Sequence, residues 1–179
     1  MGTRGLTIVK LGGQVRVAQY GQWDHYPTGQ GETISKFIRE KMDLRKFKAK
    51  VKALQFATDQ EVERLWNSCG AKGKFVTENI SKMFEKNYPQ FHRNTGANIL
   101  ELIQDGGVDK VMNSIDFLKD ELFCEYAYEL DLDKRVVKVY VSGKPYKTYK
   151  FSEFAKPEAM KKLEQELQAR SLLMEFATE

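Results

Sequence analysis

The chain opens with a period of two. Thr7, Val9 and Leu11 alternate with Ile8 and Lys10, Gly12-Gly13 follows, and Val15 and Val17 alternate with Arg16 and Ala18. Alternation sends successive side chains to opposite faces of a strand, and paired glycines supply the positive φ angles of a tight primed turn. The pattern predicts a β-hairpin over residues 6–20.

Beyond a loop at 21–31 the period lengthens. Ile34, Phe37, Ile38 and Met42 share a helical face after a start near Glu32 or Thr33. Residues 44–54 fit both periods. Phe47, Ala49, Val51 and Ala53 alternate with lysines, while Leu44, Phe47, Val51 and Leu54 fall on one helical face. Ala and Lys favour the helix and Asp43 is a good N-cap, so a helix is expected. Thr58 and Glu61 make a capping box for a helix carrying Val62, Leu65 and Trp66, closed by Gly70. Thr77 opens another with Ile80, Met83 and Phe84, ended by Pro89. Residues 88–95, YPQFHRNT, form a second aromatic and polar loop. Further helices are expected from about Gly96 to Gln104, before Asp105-Gly106-Gly107, and over 108–119.

Period two returns at Leu122. Phe123, Glu125, Ala127 and Glu129 take one face, and Cys124, Tyr126, Tyr128 and Leu130 the other. RVVKVYV is the expected antiparallel partner, and Gly143-Lys144-Pro145 turns into YKTYKF. Tyr126, Tyr128, Tyr140, Tyr146 and Tyr149 read as a tyrosine-rich sheet surface. Pro157 starts a last helix over 158–173, with a fraying tail at 174–179. The order is hairpin (6–20), helical middle (32–119), strand meander (122–151) and helix (158–173). It predicts a single α+β domain over 1–179: one antiparallel sheet built from the hairpin and the meander, covered by several helices.

Composition narrows the class. At 179 residues, with 41% hydrophobic and 12% aromatic residues, the chain suits one domain with a real core. The net charge of +4 does not by itself indicate nucleic-acid binding. Cys69 and Cys124 are expected as buried free thiols, with no zinc spacing and no metal or cofactor motif. Leu6 stands where a myristoylation motif wants Ser or Thr. No secretory h-region or bilayer-length apolar run is present, so a cytoplasmic protein is expected.

The chemistry concentrates in the loop between Gln19 and Gly31. Trp23 and Tyr26 offer flat stacking area, and Gln19, Gln22 and Asp24 offer polar edges. Gly29 and Gly31, before a helix start, offer main-chain N–H groups to an anion. Their spacing matches neither the P-loop nor the dinucleotide fingerprint. In the alternative reading the aromatics cap the core and the glycines make turns. Arg4 can flank the same sheet end and grip a carboxylate or phosphate. His25 and His92 each sit in an aromatic loop. If the loops met, His92 and Asp24 would make an acid–base pair. Lys41, Arg45, Lys46, Lys48, Lys50 and Lys52 form a basic run, read first as a solvated helix face, with a nucleic-acid-binding protein that uses the 41–52 run as a further, less favoured alternative.

The stretches Met1-Gly2-Thr3-Arg4-Gly5, Ala18-Gln19-Tyr20-Gly21-Gln22-Trp23-Asp24 and Tyr26-Pro27-Thr28-Gly29-Gln30-Gly31 resemble the opening of a family of uncharacterised bacteriophage and prophage proteins. Glu125-Tyr126-Ala127-Tyr128-Glu129-Leu130-Asp131-Leu132-Asp133 resembles its second block. The resemblance implies a viral setting and no specific activity. It carries the expectation of a non-catalytic binding protein that counters host defence. Its partner would be a small polar or nucleotide ligand, or a host protein. A second resemblance, to the N-terminal-nucleophile hydrolases, rests on the terminal strand, the hairpin and Gln22-Trp23-Asp24. It implies an amide hydrolase, but residue 2 is Gly2, and Thr3 would serve only after removal of two residues.

Overall fold

A computed structural model describes residues 2–177. The hairpin is strand β1 (Gly5–Leu11) and strand β2 (Gln14–Gly21), joined through Gly12 and Gly13, both at positive φ. A wide π-helical turn (Pro27–Gly31) leads into helix α1 (Glu32–Lys36), and a second such turn (Phe37–Lys41) ends it. Helix α2 (Leu44–Ala53) starts where the Asp43 side chain accepts the Lys46 N–H. It turns Phe47 and Val51 into the core, so the helical period wins over the alternating one.

Strand β3 (Gln55–Phe56) precedes helix α3 (Asp59–Ser68), which carries the reciprocal Thr58–Glu61 capping box. Helix α4 (Glu78–Asn87) begins at Thr77. A tight turn (Gly96–Asn98) enters helix α5 (Ile99–Asp105). The short helix expected over 108–119 forms only at its end, as a 3-10 helix over Ile115–Lys119. Strand β4 (Lys110–Val111), which pairs in parallel with β3, precedes it. Val108 and Val111 lie past the Gly106-Gly107 break, where β-branched side chains favour extended backbone.

Strand β5 (Tyr126–Asp131) starts later than the alternation suggests. The Asp120 carboxylate accepts the N–H groups of Leu122 and Phe123, which holds that stretch in a turn. Strands β6 (Val136–Val141) and β7 (Lys144–Lys150) complete the meander. The short helix α6 (Phe151–Phe154) leads to helix α7 (Ala159–Ala177). The expected fraying tail is helical as far as residue 177, and residues 178–179 lie outside the described part.

The α+β class holds, with one correction. The main sheet has the order β2-β1-β5-β6-β7, and β1 pairs with β5 in parallel, so the sheet is mixed. An antiparallel neighbour needs only a short turn, but the chain between β2 and β5 is a long helical crossover that can bring β5 in either direction.

One face of the sheet, with Val9, Val17, Tyr128, Leu130 and Val139, packs on Ile34, Phe37, Phe47, Leu100, Ile103 and Phe154. Each such side chain contributes about 1.5–3 kcal/mol on burial. Leu6, Ile8, Ala127 and Tyr140 form a smaller cluster with Cys124 on the other face. Tyr128 is fully buried and Tyr140 nearly so, which corrects the reading of all five tyrosines as surface. Cys69 and Cys124 are buried free thiols. A satellite cluster stacks Trp66 on Phe84 with ring centroids 3.6 Å apart. No helix among the described residues is long and apolar enough to cross a membrane.

Candidate functional site

At the open end of the hairpin Gly5 and Gly21 are register partners. The imidazole of His25 lies across them. A Cβ on Gly21 would sit 2.0 Å from His25 Cε1, and one on Gly5 would sit 2.6 Å from His25 Cδ2. Only two bare α-carbons leave room for the ring. His25 is fully buried, and burial pushes its pKa down to about 4, against the Trp23 and Thr3 carbonyls that draw it up. Its Nδ1 lies 3.2 Å from the Trp23 carbonyl. Its main-chain N–H donates to Thr3 and its carbonyl accepts the buried Tyr128 hydroxyl at 2.8 Å. His25 is therefore the plug that seats the loop.

Around this plug the backbone doubles back. Asp24 adopts φ 57°, a left-handed conformation that Asp tolerates better than most residues. Its carbonyl accepts the Gln30 N–H at 2.6 Å, and Gly29 N–H donates to Tyr26. A Cβ on Gly29 would meet the Asp24 carbonyl at 2.1 Å, and one on Gly31 would meet the Tyr128 hydroxyl at 2.9 Å. These glycines serve close packing, and the Gly29 N–H is already committed within the turn. Thr28 donates through its N–H and its hydroxyl to Glu164 on α7.

The two aromatic loops meet. Gln22 N–H donates to the Arg93 carbonyl at 3.0 Å, the Trp23 indole N–H donates to Asn94 Oδ1 at 2.9 Å, and Ala97 N–H donates to Gln30 Oε1. The meeting builds an outward face. Tyr20 packs edge-on against Phe117 and donates its hydroxyl to Gln22 Oε1 at 2.6 Å. Arg4 and Arg93 both act on this hydroxyl, and Arg4 is within hydrogen-bonding reach of it. Burial raises the Tyr20 pKa, with the two guanidinium charges opposing. Arg4 also lies 4.5 Å over the Phe123 ring, which is 41% exposed. Trp23 is 45% exposed. Arg4 thus joins Phe123, Gln22 joins Tyr20 and the Arg93 main chain, and Trp23 joins Asn94, so that two cations, two exposed rings and an amide are linked in a chain of contacts suited to an anion that carries a flat ring.

Of the residues singled out from sequence, Arg4, Gln22 and Trp23 stand on this face. Gln19 is buried, and its side chain leaves the opposite side of the strand from that of Tyr20. Asp24 is exposed next to Tyr26, whose hydroxyl it raises in pKa through its charge, and Glu164 adds to that effect. Thr3 and Tyr26 line a groove of about 360 Å³ with Glu125, Tyr126 and Glu164. Tyr20, Arg93, Asn94 and Phe123 are members that pattern reading did not single out. Arg93 and Asn94 were in view inside YPQFHRNT, but nothing local marks which of its residues reach the first loop.

His92 belongs elsewhere. It is buried near Trp66 and Phe84, with Ser81 Oγ 3.1 Å from its Nε2. A cavity of about 570 Å³ lies beside them, lined by Trp66, Thr77, Ser81, His92 and Arg93. The geometry looks like a Ser–His dyad but works against one. Asn94 N–H donates to His92 Nδ1 at 3.2 Å, so a neutral ring carries its proton on Nε2 and donates to Ser81. Such a ring is no base for the hydroxyl. The carboxylate beside it is Glu85, 3.8 Å from Nδ1, and not Asp24. Burial lowers the His92 pKa, which keeps the ring neutral.

No group of three or more His, Cys, Asp or Glu side chains among the described residues could hold a metal ion. In the basic run, Lys41 pairs with Glu101, Lys46 with Asp105 and Lys48 with Asp133. Comparison with family models, with curated proteins and with solved structures gives no match in any of the three.

Proposed function

We propose that this chain is a non-catalytic binding protein. Its loop from Gln19 to Gly31, joined by Arg4 and Arg93, receives a small anionic ligand with an aromatic ring, of which a nucleotide is the natural class. What supports the reading is Arg4 lying over the exposed Phe123 ring, with the charges of Arg4 and Arg93 both bearing on Tyr20, and Trp23 exposed three residues further on. The guanidiniums would grip phosphate oxygens, Trp23 would stack on the base and Gln22 would bond its edge. In the viral setting implied by the sequence resemblance, sequestering a host nucleotide would counter host defence.

Trp23 is one of two tryptophans, so its fluorescence is a direct reporter once Trp66 is replaced by Phe. Titrating ADP into the Trp66→Phe variant should quench Trp23 saturably, and Arg93→Ala should move the quenching to roughly 10–100-fold higher ADP. A Trp23 signal indifferent to ADP, GDP, CDP and UDP alike would contradict the reading. The hydrolase alternative would place Thr3, freed at its amine, in the groove with Glu125 and Glu164. A mature chain beginning at Thr3 would favour it.

A further inference from the structure

Three buried side-chain atoms among the described residues have no hydrogen-bond partner: Thr7 Oγ1, Gln19 Oε1 and His25 Nε2. Their residues belong to adjoining rows of the hairpin. Thr7 and Gln19 are register partners across β1 and β2, so their side chains leave the same face of the sheet. Gly5 and Gly21 form the next row on that face, two residues along each strand, and the His25 ring lies on them.

The ring contacts give Nε2 a direction. An ideal Cβ on Gly5 would lie 2.6 Å from Cδ2 and 2.7 Å from Cγ, and one on Gly21 would lie 2.9 Å from Nε2 and 3.1 Å from Nδ1. With Cε1 only 2.0 Å from the Gly21 position, the ring is wedged edge-on between the two glycines, Cε1 towards Gly21 and the Cγ–Cδ2 edge towards Gly5. Its two nitrogens therefore leave on opposite sides of the line that joins the glycines. Nδ1 meets the Trp23 carbonyl in the loop, so Nε2 leaves the opposite side of the ring, away from that carbonyl.

The hydrogen-bonding capacity of this cell is short of donors. A carbonyl only accepts, so Nδ1 carries the proton of the neutral ring and Nε2 is a bare acceptor. Gln19 Oε1 is a second acceptor. Thr7 brings a single proton and cannot serve both. Tyr128, the register partner of Thr7 on β5, has its hydroxyl committed to the His25 carbonyl. A water molecule supplies what is missing, because it donates twice and accepts from Thr7. A cation fits poorly, because all three groups are neutral.

We propose that one internal water is bound between Thr7, Gln19 and His25 and completes the seat of the 21–31 loop. It donates to His25 Nε2 and Gln19 Oε1 and accepts the Thr7 hydroxyl. It thereby joins β1, β2 and the loop through side chains that do not reach one another directly. About one such water per 27 residues is ordinary in folded proteins, and three bonds are its usual complement.

Water-selective NOE and ROE spectroscopy on the isotope-labelled protein tests this. A long-lived cross-peak at the water frequency is expected at the His25 Cδ2 proton. It should persist in Thr7→Val, where no hydroxyl proton can imitate water, and vanish in the Thr7→Val/Gln19→Leu double variant. No cross-peak in the parent protein, or its loss in Thr7→Val, overturns the proposal. So does a crystal structure in which the Gln19 amide donates directly to Nε2. If the double variant does not fold, the parent and Thr7→Val spectra decide.

Discussion

Trp23 and Asn94, 71 residues apart in sequence, are joined by an indole N–H donated to a side-chain oxygen at 2.9 Å. The bond fastens the loop after the hairpin to the loop after α4. With the Gln22–Arg93 main-chain bond beside it, the fastening brings Arg93 close enough for its charge to act on Tyr20, as that of Arg4 does. This group of residues is thus a product of tertiary structure, assembled from four separate stretches of chain, at Arg4, Tyr20–Trp23, Arg93–Asn94 and Phe123.

The loop should depend on the bareness of the hairpin end. A Gly21→Ala methyl would fall 2.0 Å from His25 Cε1, so the ring must leave its seat. Forced overpacking of this kind costs about 2–3 kcal/mol. Urea unfolding should show that loss, and the exposed Trp23 should change its emission in the native state. A variant as stable as the parent would mean that the ring is not held there.

Tyr128→Phe tests the same seat from below. It removes the hydroxyl that donates to the His25 carbonyl at 2.8 Å and leaves a buried acceptor without that donor. A loss of about 1–2 kcal/mol is expected in urea unfolding. Nucleotide affinity should also fall, although Tyr128 lies in the core, because the loop above it loosens. Unchanged affinity would separate the seat from the site.

Stability should fall in mild acid. His25 titrates near 6.5 when unfolded and at about 4 when folded. The folded state therefore favours the neutral ring. Its contribution is complete above about pH 6.5 and is lost as the pH falls towards 4, amounting to ~3 kcal/mol. His92, also lowered by burial, acts in the same direction. An NMR titration of the His25 ring should show a neutral imidazole down to about pH 4. Titration near 6.5 would contradict the burial argument.

Local chemistry made much of this fold legible. The Gly12-Gly13 turn, the Thr58–Glu61 capping box and the Asp43 cap act within a few residues, and all three are present. The parallel β1–β5 pairing was not legible, because alternation gives the faces of a strand but not the direction of its neighbour. The late start of β5 depends on Asp120 capturing two N–H groups, which overrides an alternating pattern. At the site, the crowding of Gln22, Trp23 and Arg4 near one sheet end was visible in the sequence. The roles of Gly5, Gly21 and Arg93 were not, because each depends on a residue brought in from elsewhere.

Native mass spectrometry of the protein mixed with nucleoside mono- and diphosphates tests the central claim most directly. The account predicts a one-to-one adduct of nucleotide mass that disappears on denaturation. In Arg93→Ala the adduct should need roughly 10–100-fold more ligand, the equivalent of one charge-assisted hydrogen bond worth about 1.5–3 kcal/mol. No adduct with any nucleotide, or one that Arg93→Ala leaves unchanged, would contradict it.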